Sequence, residues 1–259
     1  MASGLRLLAP SLGVTRAWLI TLCIFPFVYA ERLTKGRMPR VGVLFPFYCK
    51  DHGYKFWSRV GDFHSFVEEY EPLTTHAAES LIDGSVAVDV GANIGIHTIH
   101  FAKRAKLVIS IEPHPYLLKI LVRNIKANRL NNVIVVPAAV SNQNGTARLY
   151  KAGHMWTLQA SRYHEPGSRK WRQDSIGVVT LTLETIFTNF GIKEVGLLKV
   201  DVEGAECLAL EGLGEYLRPE KVKALIVEVD KGNEEKIRML CKQYRHMTKL
   251  ENSNYLILP

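Results

Sequence analysis

Val86-Ala-Val-Asp-Val-Gly-Ala-Asn-Ile-Gly95 is the stretch on which the reading of this chain turns. A β-branched run leads into Asp89, a glycine-rich turn follows, and Ile96 to Ala105 then shows helical spacing. The pattern predicts strand, turn and helix. Gly91 and Gly95 remove side chains where the backbone bends tightly or passes close to a ligand. The N–H groups that open the next helix lack intrahelical partners and face whatever lies above the turn. Asp89 reaches the same place from the carboxyl end of the strand, where ligands sit in open parallel sheets.

A nucleotide-like cofactor is the first expectation, and two candidates compete. A dinucleotide site wants G-x-G-x-x-G with pyrophosphate over the helix start. The glycine spacing here is different, and Asp89 would sit close to a doubly negative bridge. A carboxylate at that place suits a cation, such as the ammonium and sulfonium of S-adenosylmethionine. Glu112 ends the next apolar run, Leu107-Val-Ile-Ser-Ile, 21 positions after Gly91. A carboxylate there accepts hydrogen bonds from a ribose diol. Both cofactors carry a ribose, so Glu112 does not separate them; the glycine spacing and Asp89 do.

Four segments then occur in order: Asp89-Val-Gly-Ala-Asn-Ile-Gly95, Glu112-Pro-His-Pro115, Ala138-Ala-Val-Ser141 with Gly145, and Lys199-Val-Asp-Val-Glu-Gly-Ala-Glu206. Together they resemble the FkbM-type S-adenosylmethionine-dependent methyltransferases, over roughly Phe63 to Pro259. The resemblance implies a Rossmann-like class I methyltransferase of the α/β class. Its seven-stranded, mostly parallel sheet would carry helices on both faces and a C-terminal antiparallel hairpin. It implies that Asp89, Gly91, Asn93 and Gly95 hold the methionine end and Glu112 the ribose. An acid that reads the adenine amine often follows the third strand in this class; Ser141 and Asn142 stand there instead. Asp201 and Glu203, two apart, share a face if their strand persists that far. In the implied topology they border the methyl end, where a tuned carboxylate accepts a proton from an acceptor hydroxyl. Asp201, Glu203, Glu228 and Asp230 are also hard oxygen ligands, but no compact loop sets a coordination geometry and no metal is expected.

Away from these motifs the chain is less explicit. Its 259 residues suffice for one such domain plus an N-terminal appendage. A net charge of +8 is compatible with acidic substrates, an anionic surface or solubility alone. Cys23, Cys49, Cys207 and Cys241 lack metal-ligand spacing, and Cys207 reads as core. Residues 1–34 read as an address: Arg6 and Arg16 are the only charges before Glu31, and Ala17 to Ala30 is apolar. Fourteen apolar residues match a secretory signal or short membrane anchor better than a full span, with a mitochondrial presequence as the alternative. Residues 35–61 form a basic, aromatic N-terminal arm, and residues 62–259 the methyltransferase domain.

Within that domain, Asp62 to Asp83 reads as helical, with Glu71-Pro72 breaking the pattern. Strands and helices then alternate: Val86–Val90, Ile96–Ala105, Leu107–Ile111, Tyr116–Asn128 and a third strand at Val133–Val140. Such alternation builds a parallel sheet covered on both faces. Residues 151–178, rich in Arg and Trp, interrupt it as an acceptor-side insertion. Gly196–Val202, a helix from Glu203 to about Leu217, Val222–Val229, a helix at Asn233–Tyr244 and two short closing strands complete the order.

The expected activity is methyl transfer from S-adenosylmethionine to a hydroxyl on a small molecule, glycan or lipid, with no specific nucleic-acid partner and membrane association through the N-terminus. An NAD-dependent oxidoreductase is the alternative enzyme. A binding protein that keeps the fold without turnover is the non-enzymatic one.

Overall fold

In a computed structural model of the chain, the described residues are 44–49, 54–59, 71–152, 155–158, 175–230 and 232–259. The first described elements form an antiparallel hairpin, β1 (Leu44–Cys49) and β2 (Tyr54–Arg59). Then come α1 (Pro72–Leu81), β3 (Val86–Val90), α2 (Ile96–Ala102), β4 (Leu107–Ile111), α3 (Pro115–Ala127) and β5 (Val133–Val136). Four strands follow: β6 (Ala139–Val140), β7 (Gly145–Ala152), β8 (Met155–Thr157) and β9 (Ser175–Leu181). Next are α4 (Leu183–Asn189), β10 (Val195–Val200), α5 (Glu206–Glu211), a 3₁₀ turn (Gly214–Tyr216), β11 (Val222–Glu228) and α6 (Glu234–Leu240). The closing hairpin is β12 (His246–Glu251) and β13 (Asn254–Leu258).

Two compact units are distinguished. The smaller contains β1, β2 and Val122–Leu130. Here Asn124 and Asn128 act as a substitute strand. The side chain of Asn124 accepts the Trp57 N–H at 2.5 Å and donates to the Trp57 carbonyl at 3.2 Å. Asn128 does the same to Lys55, at 2.9 and 2.6 Å. The match is geometric: four helical residues rise about 6 Å and two strand residues about 6.7 Å. The Arg123 guanidinium lies 3.3 Å from the centre of the Trp57 ring.

The larger unit, Leu73–Leu121 with Asn131–Pro259, holds a seven-stranded sheet in the order β12-β13-β11-β10-β3-β4-β5. Strands β11, β10, β3, β4 and β5 are parallel, and β13 and β12 close the edge antiparallel. This is the seven-stranded, mostly parallel sheet with a closing antiparallel hairpin that the resemblance implies. Its central strands are buried on both faces, which is why β3 and β10, apart from Asp89 and Lys199, show no polar alternation. Val88, Ile109, Leu198 and Leu225 pack with Leu183 and Phe187 of α4 and with Leu210 and Leu213. Each such side chain contributes about 1.5–3 kcal/mol on burial. A second sheet runs in the order β6-β9-β7-β8.

Several expected boundaries differ. Pro72 starts a helix: it is the first residue of α1, where its missing N–H costs nothing. Glu71 turns the chain with φ +46, and the Glu251 carboxylate accepts the Thr74 N–H at 2.7 Å. The single strand expected at Val133–Val140 is two. Pro137 cannot donate to a ladder, so β5 ends at Val136 and β6 pairs in parallel with β9 in the second sheet. Part of the stretch expected as an insertion, residues 151–178, is sheet: β8 pairs with β7, and β9 runs beside it. Residues 153–154 and 159–174 lie outside the described residues, as do the address at 1–34 and the first half of the helix expected at 62–83. Among the described residues no helix is long and apolar enough to cross a membrane.

Candidate functional site

The site forms where β3, β4, β10 and β11 end. After Val90 the Gly91 and Ala92 N–H groups both donate to the Ile111 carbonyl at 3.0 Å, which reverses the chain at once. Gly91 has φ +81, and a Cβ there would strike the Asp201 carbonyl oxygen. The Asp201 N–H in turn donates to the Val90 carbonyl at 3.0 Å. Glycine is therefore required by contact with the neighbouring strand end. Asn93 (φ +52) and Gly95 (φ +92) complete the left-handed turn before α2.

Glu112 and Asp89 project from this frame. Glu112 accepts the Asn93 N–H on Oε2 at 2.9 Å and the His114 N–H on Oε1 at 2.8 Å. Each carboxylate oxygen keeps a further lone pair, enough for a diol. Burial pushes the Glu112 carboxyl up to about 7, the two backbone donors oppose this, and the charges of Asp89 and Asp201 add to the rise. Asp89 is buried and accepts the Thr98 hydroxyl on Oδ2 at 2.6 Å; Thr98 in turn contacts Ser110 at 2.8 Å. The carboxylate is thus oriented by α2.

On the other side lie the acids that follow β10 and β11. Lys199, 1% exposed, donates to Asp201 Oδ2 at 2.7 Å. Burial works to raise Asp201, but the Lys199 ammonium outweighs it and holds this carboxyl below the usual range, assisted by Glu228 and His97. Glu228 goes the other way, to about 8, through burial and then the charge of Asp201 and the hydrogen bond it shares with it. Glu203 is pushed to about 7 by burial and by Asp201, Glu206 and Asp230. The Glu206 Oε1 atom accepts the Val202 and Gly204 N–H groups at 3.2 and 2.8 Å. It thereby holds the turn that presents Glu203.

The sequence-based pairing of Asp201 with Glu203 needs one correction. Strand β10 ends at Val200, so strand alternation does not put the two acids on one face. A left-handed turn at Glu203 (φ +53) and Gly204 (φ +104) keeps them close instead. Asp89, Gly91, Asn93, Glu112 and Asp201 are linked directly or through shared contacts around the turn. The Ser141 N–H donates to the Leu181 carbonyl at 3.1 Å, and the Asn142 amide to Glu211 at 2.9 Å. The sequence reading gave Lys199 and Glu206 no role and Glu228 only a metal-ligand alternative. A lysine inside Leu197-Leu198-Lys199-Val200 was the available signal, because lysine is almost never fully buried without a partner. His114 proves to cap α3, its Nδ1 accepting the Tyr116 N–H at 3.2 Å. Among the described residues no group of three or more His, Cys, Asp or Glu side chains is arranged to hold a metal ion.

Comparison with known proteins identifies the family. The family model described as "Methyltransferase FkbM domain" matches residues 89–257. The chain is 28% identical over 188 residues to the methyltransferase sdnD of Sordaria araneosa, spanning 61% of this chain and 72% of that one. It is 39% identical over 54 residues to the tRNA (guanine(37)-N(1))-methyltransferase Trm5b of Pyrococcus abyssi, a match covering 21% of this chain and only 16% of that protein. Among solved structures, the methyltransferase FkbM from Methylobacillus flagellatus superposes with a TM-score of 0.46 at 16% identity, over 75% of this chain and 52% of that one. The chain belongs to the FkbM family of methyltransferases, whose cofactor is S-adenosylmethionine.

Proposed function

We propose that this protein methylates a hydroxyl group on a small molecule, glycan or lipid, with Glu203 as the proton acceptor. One observation carries the reading: Glu203 sits on a strained turn beside Asp201, at the strand end against which the glycine turn packs, with its carboxyl raised to about 7. A carboxyl in that range is a base matched to neutral pH.

The cofactor fits the residues present. Asp89, Asp201 and Glu203 offer negative charge to an ammonium and a sulfonium, and Glu112 offers lone pairs to the ribose. Bound there, S-adenosylmethionine supplies an electrophilic methyl carbon. The chain's own contribution is alignment and proton removal. The acceptor O–H bond breaks, its proton passes to a Glu203 carboxylate oxygen and then to solvent, and the electron pair stays on the acceptor oxygen as the nucleophile.

The test is transfer of labelled methyl to separated pools of small metabolites, glycans, lipids and RNA. Label in one of the first three pools, lost in E203Q, is the expected result. Label confined to RNA would overturn the acceptor class. Calorimetry with S-adenosylhomocysteine should show binding by the wild type and at least about tenfold weaker binding by E112Q, which loses an acceptor and leaves a backbone N–H unpaired. Residues 1–34 we propose to act as a secretory or membrane address; diffuse fluorescence from a fusion of residues 1–40 would sink that reading.

A further inference from the structure

Lys199, Asp201, Glu228 and Ser253 form a chain across the ends of β10 and β11. Lys199 Nζ donates to Asp201 Oδ2 at 2.7 Å, with the lysine side chain 2% and the aspartate 22% exposed. Glu228 shares a side-chain hydrogen bond with Asp201. The Ser253 hydroxyl, from the turn between β12 and β13, donates to Glu228 Oε1 at 2.9 Å. The Val229 N–H donates to the Ser253 carbonyl at 2.7 Å, which fixes that serine beside β11. Both ends of the array are thus anchored in the sheet.

Electrostatics decides how such an array is charged. A buried ammonium costs several kcal/mol of desolvation and persists only against an anion with good geometry. Two carboxyls within hydrogen-bonding distance do not both ionise easily, and the pair shares a proton. The cation sits on Asp201, so Asp201 is the anion. Ser253 occupies the Oε1 atom of Glu228, and the proton that the two acids share then falls to Glu228.

Other charges face the array from each neighbouring element. His97 of α2 acts on Asp201 in the same direction as Lys199. Asp230, beyond β11, and Glu206, on α5, act on Glu203. Asp89, on β3, acts with Asp201 on Glu112. Apart from His97 these are acidic, so Lys199 supplies the main buried positive charge that sorts the acids among the described residues.

We infer that Lys199 is a positioning residue of the methyl-transfer site: by holding Asp201 as the anion, it makes Glu228 keep the proton the two acids share. Glu203 is then the carboxylate that takes the acceptor's proton, whereas Asp201, an equal candidate from sequence, is committed to the lysine. The assignment of Glu203 rests on the proposed function; the sorting of Asp201 and Glu228 does not.

Carbon-13 NMR of the side-chain carboxyls of the full-length, ligand-free chain tests the sorting, with D201N and E228Q serving to assign the two signals. In the wild type the Asp201 carbon should stay constant from about pH 5 to 9, while the Glu228 carbon titrates in the upper part of that range. In K199M the Asp201 carbon should titrate within the range, and K199R should restore the constant signal. In D201N the Glu228 midpoint should fall by about one pH unit or more, because its anionic neighbour and hydrogen-bond acceptor are gone. An Asp201 signal unchanged by K199M, or a Glu228 midpoint unmoved in D201N, would overturn the inference. If K199M does not fold, D201N decides alone. Calorimetry with S-adenosylhomocysteine on the same samples separates the two claims: no binding by the wild type removes the functional reading and leaves the titration result standing.

Discussion

Gly91 shows how one residue ties the turn to its neighbouring strand. Its left-handed φ of +81 disfavours any side chain, and a Cβ would meet the Asp201 carbonyl. Gly91→Ala should therefore cost at least about 2 kcal/mol in urea unfolding, combining backbone strain with a clash that only backbone movement relieves. Gly177→Ala is the control: its Cβ meets nothing within 4 Å, so its stability should stay within about 0.5 kcal/mol of wild type. The need for glycine at 91 is legible in the sequence as part of a tight turn. The group it must avoid is not, because Asp201, 110 positions later, directly follows strand β10, which becomes a neighbour of β3 only in the sheet. Glu203 is the counterpart in the turn after that strand: a glutamate with φ +53, held there by Glu206, is not a turn residue that composition announces.

At the scale of elements, Asn124-Ile-Lys-Ala-Asn128 reads correctly as helix, yet its two asparagines also serve as partners for β2. Asn124→Ala should leave the Trp57 N–H and carbonyl without these partners and destabilise the hairpin by about 1–3 kcal/mol. Hydrogen exchange checks this: protection at Trp57 should fall while amides in β3 and β10 stay protected, and unchanged Trp57 exchange would refute the role. Sequence periodicity finds the helix because its apolar spacing is local. It misses the pairing because the partners are 67 and 73 positions away. The same limit explains β5 and β6, read as one apolar run. Pro137 marked the break, but the move of Ala139–Val140 to a second sheet depended on β9, supplied by a stretch that composition presents as an insertion.

For the whole molecule, the acids at the sheet's carboxyl edge set a pH dependence. Glu112 and Glu203 are raised to about 7 and Glu228 to about 8, from an ordinary 4.5. Between those limits the folded state holds more protons than the unfolded one, so these groups favour folding at low pH and that contribution is lost as pH rises. Ligand-free protein should accordingly lose stability between about pH 5 and 8, and E228Q should flatten the slope. Urea midpoints at several pH values measure it; a wild-type slope that E228Q leaves unaltered would contradict the raised carboxyl. Cofactor binding by the folded state should offset part of the loss by mass action.

The sequence by itself determined the alternation of strands and helices in the seven-stranded sheet, the glycine turn after β3 and the family, because strand period, turn chemistry and motif spacing are carried by neighbouring residues. Tertiary structure alone decided the charge states of the acids. Asp201, Glu203 and Glu228 are chemically similar carboxylic acids in the chain, and they differ only once burial, the Lys199 ammonium and the close approach of β10 to β11 give each a different electrostatic environment.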